Sequence, residues 1–353
     1  MAHQAALLVD GAADDALTGA ATIEVDEWLD APARYALQLP VAVADGDLPL
    51  LADDRLGPGS ELAVVAESGG ARECLVSGPV TGQRIVLIHG GAGSVMTVDG
   101  GDGAIAMDRE DRAEVWSNAT DSSVVEAIAG RNALAPDVEP TATTHPDEGH
   151  ALVQRETDLA MVRRLARRNG YAWWVTATED GSGTLHFRPA PVGEPPAGEL
   201  AINLADHAIE RLEITWDAER PTSAGAMQID PRSKAVIDGT ASASPLTPLG
   251  SSGFDAIAGG TRAAWIAAAA DDVADLQGRT GAVLAAGSFF ARACGSTTTA
   301  RAGTILRRGT VVELRGAGTR HSGPWLCRRV RHVIDDVTHT MDFELVRNGW
   351  GTG

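Results

Sequence analysis

The sequence predicts a mainly β, α+β protein: β-rich regions at both ends, the first with the pattern of a small antiparallel barrel or sandwich, and an α+β module between them. Short β-branched segments set off by Gly, Pro and Asp turns fill both ends of the chain. Two capped helices and an aromatic hairpin lie in the middle. A length of 353 residues calls for two or three domains, and 44% hydrophobic residues suffice for real cores.

In residues 1–115 the expected strands are TIEVDEW (22–28), RYALQLPVAVA (34–44), ELAVVAE from Glu61, QRIVLIH (83–89), SVMTVD (94–99) and AIAMD (104–108). Turn signals at Asp45-Gly46, Gly57-Pro58, Gly69-Gly70 and Gly90-Gly91 separate them, the spacing of a small barrel or sandwich. In residues 116–200, Asp121 or Ser122 can cap a helix whose apolar face carries Val124, Val125 and Ile128. Thr157 can cap a second, with Leu159, Val162, Leu165 and Ala166 on one face. Arg163, Arg164, Arg167 and Arg168 fall mostly on the other. Asn169-Gly170 stops this helix, and YAWWVTA, EDGSG and TLHFRPA then read as a hairpin, with GEPPAG (193–198) as the exit linker. Residues 201–353 return to strands: IERLEITWD, GAMQID, KAVIDGTA, GAVLAAG, TTARAG, TVVELRG, GPWLCRRVRHVID and HTMDFELVR. A helix is expected near 261–276, where Trp265, Ile266, Val273 and Leu276 have helical spacing.

A formal net charge of −19 argues against nucleic-acid recognition, which asks for a basic face. The charge is uneven: residues 1–115 hold 20 acidic and 6 basic side chains, whereas residues 301–332 hold 8 Arg and one Glu. Such asymmetry means either two solvated faces or copies of the chain meeting acidic end to basic end. Cys74, Cys294 and Cys327 have neither disulfide-framework nor zinc spacing and read as small buried hydrophobes. No signal peptide and no 18-residue apolar run is found, so the expected place is the cytoplasm, unless a particle carries the chain out.

Four motifs invite a chemical reading. RIVLIHGGAGS (84–94) has the His-Gly-Gly of an esterase oxyanion loop, but no G-x-S-x-G elbow accompanies it, and a hairpin turn explains its glycines better. The segment from His145 to His150 offers two imidazoles and two carboxylates, at a spacing that matches no helical ligand pair. His332 and His339 bracket a turn between strands, as packing or turn residues. Asp271 and Asp272 are adjacent on a helix and so do not share a face. No catalytic residue, metal ligand or cofactor site is assigned.

QRETDLAMVRRLARRNGYAWWV (154–175) resembles a segment of phage late control D proteins and of the hub portion of type VI secretion VgrG spike proteins. LVSGPVTG (75–82), TDSSVVEAIAGRNAL (120–134) and the closing run GTILRRGTVVELRGAG…GPWLCRRVRHVID…HTMDFELVR are similar to further pieces of that family, in family order over most of residues 30–347. The resemblance implies a baseplate hub of a contractile phage tail or injection system. It implies two small antiparallel β-barrel, tube-like domains per subunit with the α+β module inserted, in a homotrimer that adapts a three-fold spike, a separate chain here, to a six-fold inner tube. The expected partners are further copies, the spike, the inner tube protein and other baseplate proteins. The charge asymmetry would then seat the acidic first barrel of one subunit against Arg307, Arg308 and Arg315 of its neighbour, with Arg163 and Arg167 on a docking face. The alternatives are a tail-associated adaptor for cargo or another partner and, behind it, a hydrolase.

Overall fold

The computed structural model describes residues 5–43, 47–68, 70–146, 151–229, 233–267, 270 and 272–351. Asp45 and Gly46, Gly69, Asp230, Asp271 and residues 147–150 of the His-rich loop lie outside the described residues. The fold is mostly β and mostly antiparallel.

One 13-stranded sheet carries both ends of the chain. Its order runs Leu212–Trp216, Ala291–Thr298, His339–Arg347, Gly323–Ile334, Thr22–Trp28, Arg34–Pro40, Val95–Gly101, Ala71–Val86, Glu61–Ser68, Ala5–Val9 and Ala12–Ala13. Val311–Arg315 pairs with Gly323–Ile334 and, in parallel, with Gly198–Ala201. The link between the two ends is the antiparallel pairing of Thr22–Trp28 with Gly323–Ile334. Each side of that link has its own core. Ile23, Leu37, Val64 and Val98 belong to one, and Leu314, Trp325, Phe343 and Leu345 to the other. Period-2 alternation explains the assignment: in Thr22–Trp28 the inward residues are Ile23, Val25 and Glu27.

The middle of the chain forms a third core. Helices Asp121–Arg131 and Asp158–Asn169 pack Val125, Ile128, Val162 and Leu165 against Trp173, Leu185 and Phe187 of a three-stranded sheet. The first helix is capped by Thr120, one residue before the expected Asp121 or Ser122. Thr120 accepts from Ser123 N–H while Ser123 Oγ accepts from Thr120 N–H, so two orphan donors are met reciprocally. The second begins at Thr157 and ends at Gly170 in the left-handed conformation, φ +67°, as expected. A Cβ on Gly170 would stand 2.8 Å from Ala282 Cα, so this stop is also a close helix contact.

Several expected strands are helical. AIAMD lies in the 3-10 turn Gly103–Asp108, where the Asp102 carboxylate accepts from Ala104 N–H. TTARAG holds the short helix Thr299–Ala302, capped by Thr298 and stopped by Gly303 in the left-handed region. The helix expected near 261–276 is displaced: Ala263–Ile266 is a strand parallel to Ser223–Ile229, and the helix runs Val273–Ser288. Asp272 caps it by accepting from Asp275 N–H, and alanine-rich GAVLAAG extends it rather than forming a strand.

Candidate functional site: a charged seam and its flanking surfaces

Glu27 occupies an inward position of its strand and is 1% exposed. An unpaired carboxylate there would cost several kcal/mol. Arg307 meets it with Nε and Nη2 at 2.9–3.2 Å, and His332 Nε2 lies 3.2 Å from its other side. Burial alone would raise the Glu27 pKa. Arg307, the His332 hydrogen bond and Arg308 outweigh it and hold the group at about 2. His332 Nδ1 lies 2.9 Å from His339 Nε2, and His339 Nδ1 is buried without a partner. Burial, with His332 beside it, pushes the His339 pKa down to about 3. His332 and His339, expected as packing or turn residues, are packed in the interior as members of a buried polar chain.

Arg308, 2% exposed, is the second anchor. It donates to the carbonyls of Trp28, Ala31 and Val175 and to Asp102 Oδ2 at 3.1 Å. Asp102 also accepts from Ala33 and Ala104 N–H. Burial pushes the Asp102 carboxyl above its ordinary range, with Arg308 pulling the other way. One guanidinium therefore joins both β regions to the α+β module. On the outward face, Arg329 is bidentate to Asp26 at 2.8 Å, and Arg331 to Glu24 at 2.6–2.7 Å. These cross-strand pairs line the link between the two ends.

The seam relocates the predicted interface arginines. Arg307 and Arg308 point into acidic partners of their own chain, Glu27, Glu73 and Asp102. Arg308 is buried and Arg307 largely so. Part of the acidic-to-basic asymmetry is met within the chain, because antiparallel pairing brings residues near 24–27 onto residues near 329–332. Arg315 is half exposed and bonds Glu199 at 2.6 Å. Arg163 lies over the Trp173 ring, 5.6 Å from its centroid, and Arg167 is exposed. Glu27, Asp102 and the His332–His339 pair are not singled out as a unit by any motif of the sequence. The signal was present at Glu27, whose place in TIEVDEW is the inward phase.

The α+β module repeats this logic. Asp158 accepts from Arg131, Gln154 and Asn132. Asp121 lies 2.8 Å from His145 Nε2 and takes Asn169 at 2.7 Å. Asp275 is held by Arg168 and Arg279 at 2.9–3.1 Å, which fastens helix Val273–Ser288 to helix Asp158–Asn169. Among the described residues no group of three or more His, Cys, Asp or Glu side chains is arranged to hold a metal ion. Among them, too, no helix is long and apolar enough to cross a membrane.

Two apolar surfaces lie outside the seam. Strand Ala71–Val86 runs on into the His89-Gly90-Gly91 turn, and Ile85, Val86, Leu87 and Ile88 are 43–54% exposed. Gly90, Gly91 and Gly93 all have positive φ, as a tight hairpin turn requires. The second surface lies on the sheet formed by Ser223–Ile229, Val236–Ala241 and Ala263–Ile266. Its register puts Met227, Ile229, Val236 and Trp265 on one face, each more than half exposed. Helix Val273–Ser288 covers the other face through Leu276 and Ala226.

The fold is that of tail proteins. The 43 kDa tail protein of prophage MuSo2 from Shewanella oneidensis matches with a TM-score of 0.69 and 13% identity, over 98% of this chain and 99% of that one. A tail protein from Neisseria meningitidis MC58 matches with a TM-score of 0.67 and 16% identity, over the whole of both chains. An E. coli component of the type VI secretion system, itself described as similar to T4 bacteriophage tail proteins gp27 and gp5, matches with a TM-score of 0.58 and 13% identity, over 97% of this chain and 76% of that one. No curated protein matches the sequence. The model of the family described as the Alg8 N-terminal domain matches residues 3–336. With nearly its whole length matched, the chain belongs to the Alg8 N-terminal domain family.

Proposed function

We propose that this chain is a structural baseplate hub subunit of a contractile phage tail or a phage-derived injection system. It forms a homotrimeric ring that seats a three-fold spike on the inner tube. The observation that carries this reading is the end-to-end likeness to two tail proteins, with no large part of the chain left over for another task. The seam supports it. A subunit that transmits load between spike and tube needs its two β regions held as one piece, and Glu27, Arg307, Arg308 and Asp102 do that through buried charge-assisted bonds. The role is architectural rather than enzymatic. Its domains divide near residues 115 and 200, its partners are the spike, the tube and other baseplate proteins, and it is assembled in the cytoplasm before joining the particle. The test is genetic. Deleting the chain from a strain that makes the particle should leave sheath and tube proteins unassembled, with rescue by the intact chain. Normal particles in the deletion strain would contradict the reading.

A further inference from the structure

A cavity of about 560 Å³ opens between helix Asp158–Asn169, the C-terminal turn of helix Val273–Ser288 and the strands Gly323–Ile334 and His339–Arg347. Its size falls within the roughly 300–1,000 Å³ range of ligand pockets. Its floor is apolar, with Leu29, Leu326, Val346 and Phe289 among its lining residues. Its charged lining is Arg163, Arg167, Arg220 and Arg328 against the single carboxylate of Asp30. In a chain of net charge −19 this is a local reversal of sign.

The arginines are poorly satisfied from within. Among the described residues, neither Arg163 nor Arg167 closes an ion pair on a carboxylate: Arg163 lies over the Trp173 ring, and Arg167 acts on Asp30 only through space. They stand one helical turn apart, where like charges repel. Arg220 reaches Asp217 only at 3.6 Å, and its Nε is buried without a hydrogen bond. Arg328 reaches Glu344 only at 3.8 Å. Asp30 Oδ1 accepts from the Trp173 N–H at 3.1 Å, and this one carboxylate is shared electrostatically between Arg328 and Arg167. At the seam, by contrast, Arg307, Arg308, Arg329 and Arg331 close on carboxylates at 2.6–3.1 Å.

We propose that this cavity binds an acidic, partly apolar peptide segment of a partner protein. Its carboxylates pair with Arg163 and Arg167, and an adjacent apolar side chain covers the floor. A polyphosphate backbone would leave the apolar floor uncovered. A purely apolar segment would leave four guanidiniums facing it. The proposal stands apart from the hub reading and survives if the chain proves monomeric.

The experiment uses the intact chain and a fluorescein-labelled, N-acetylated peptide of alternating Glu and Leu, read by anisotropy. Lys–Leu and Glu–Gly peptides of the same length are the comparisons. Binding of Glu–Leu alone is expected, weakening at least about tenfold in R163E/R167E and falling as salt rises. Ala286 is an exposed residue of the lining, so A286W fills the cavity without touching a core and should abolish binding. Melting curves identify any variant that has failed to fold, and A286W then decides. Equal binding of Lys–Leu, unchanged binding in A286W, or displacement of the peptide by equimolar inorganic phosphate would each overturn the proposal. Loss of the site into an Arg163-dependent contact between two copies of the chain would overturn it as well.

Discussion

Replacing Arg308 by Met removes the one side chain that bonds both β regions and the α+β module. The shape of the stem is kept. Four acceptors lose their donor: three carbonyls, at Trp28, Ala31 and Val175, and the Asp102 carboxylate. Breaking a buried pair by deleting one partner costs about 3–5 kcal/mol, because the survivor stays charged and buried. Asp102 keeps two backbone donors, at Ala33 and Ala104, so the lower half of that range is expected. Against a typical total of about 5–15 kcal/mol, this is a large share of the stability. The assay is urea unfolding at pH 7 followed by tryptophan fluorescence. D102N added to R308M should recover about 1–2 kcal/mol, a coupling that independent sites would not show. A pH series supplies an internal check. The Asp102 pKa is already raised, and loss of Arg308 raises it further, so the neutral form is favoured in the folded state. Stability from a raised acid is present at low pH and lost as pH rises through the folded pKa, so the R308M deficit should shrink on acidification. A loss under about 1 kcal/mol, or strictly additive effects of R308M and D102N, would refute the clamp.

Acid should unfold the wild-type chain in two stages. His339 has a pKa lowered from 6.5 to about 3, so the stability it confers is present above pH 6.5 and declines as pH falls toward 3. Glu27, lowered from 4.5 to about 2, adds a second decline below pH 4.5. The slope is at most about 1.4 kcal/mol per pH unit for each group, and H339L should flatten the upper stage in chemical denaturation. R307E should fail to fold, because it places two carboxylates together in the interior, whereas R315E should leave the melting curve nearly unchanged; differential scanning calorimetry separates the two. G170A should cost about 2–3 kcal/mol in urea, since it combines a left-handed residue with a 2.8 Å approach to Ala282.

Local signals were the readable part of this chain. Thr157 and Gly170 bracket a helix by cap chemistry alone, and TIEVDEW and HTMDFELVR are strands with the bounds their patterns suggest. The misreadings arose where tertiary contacts outweighed pattern. GAVLAAG is apolar enough for a strand but continues a helix started at Asp272, and AIAMD turns because Asp102 is fixed by Arg308. Long-range pairing was the least readable layer. Nothing local says that Glu24, Asp26 and Glu27 meet Arg307, Arg329 and Arg331 some 280–307 residues away. Charge asymmetry was visible, but its partner, the chain itself, was not.

The mass of the purified chain in solution, measured by light scattering across a concentration series, tests the hub account most directly. A stable species near three times the 36.6 kDa of one chain is the predicted result. A monomer that persists at the highest concentration, with the seam intact by its acid-unfolding profile, would contradict the account.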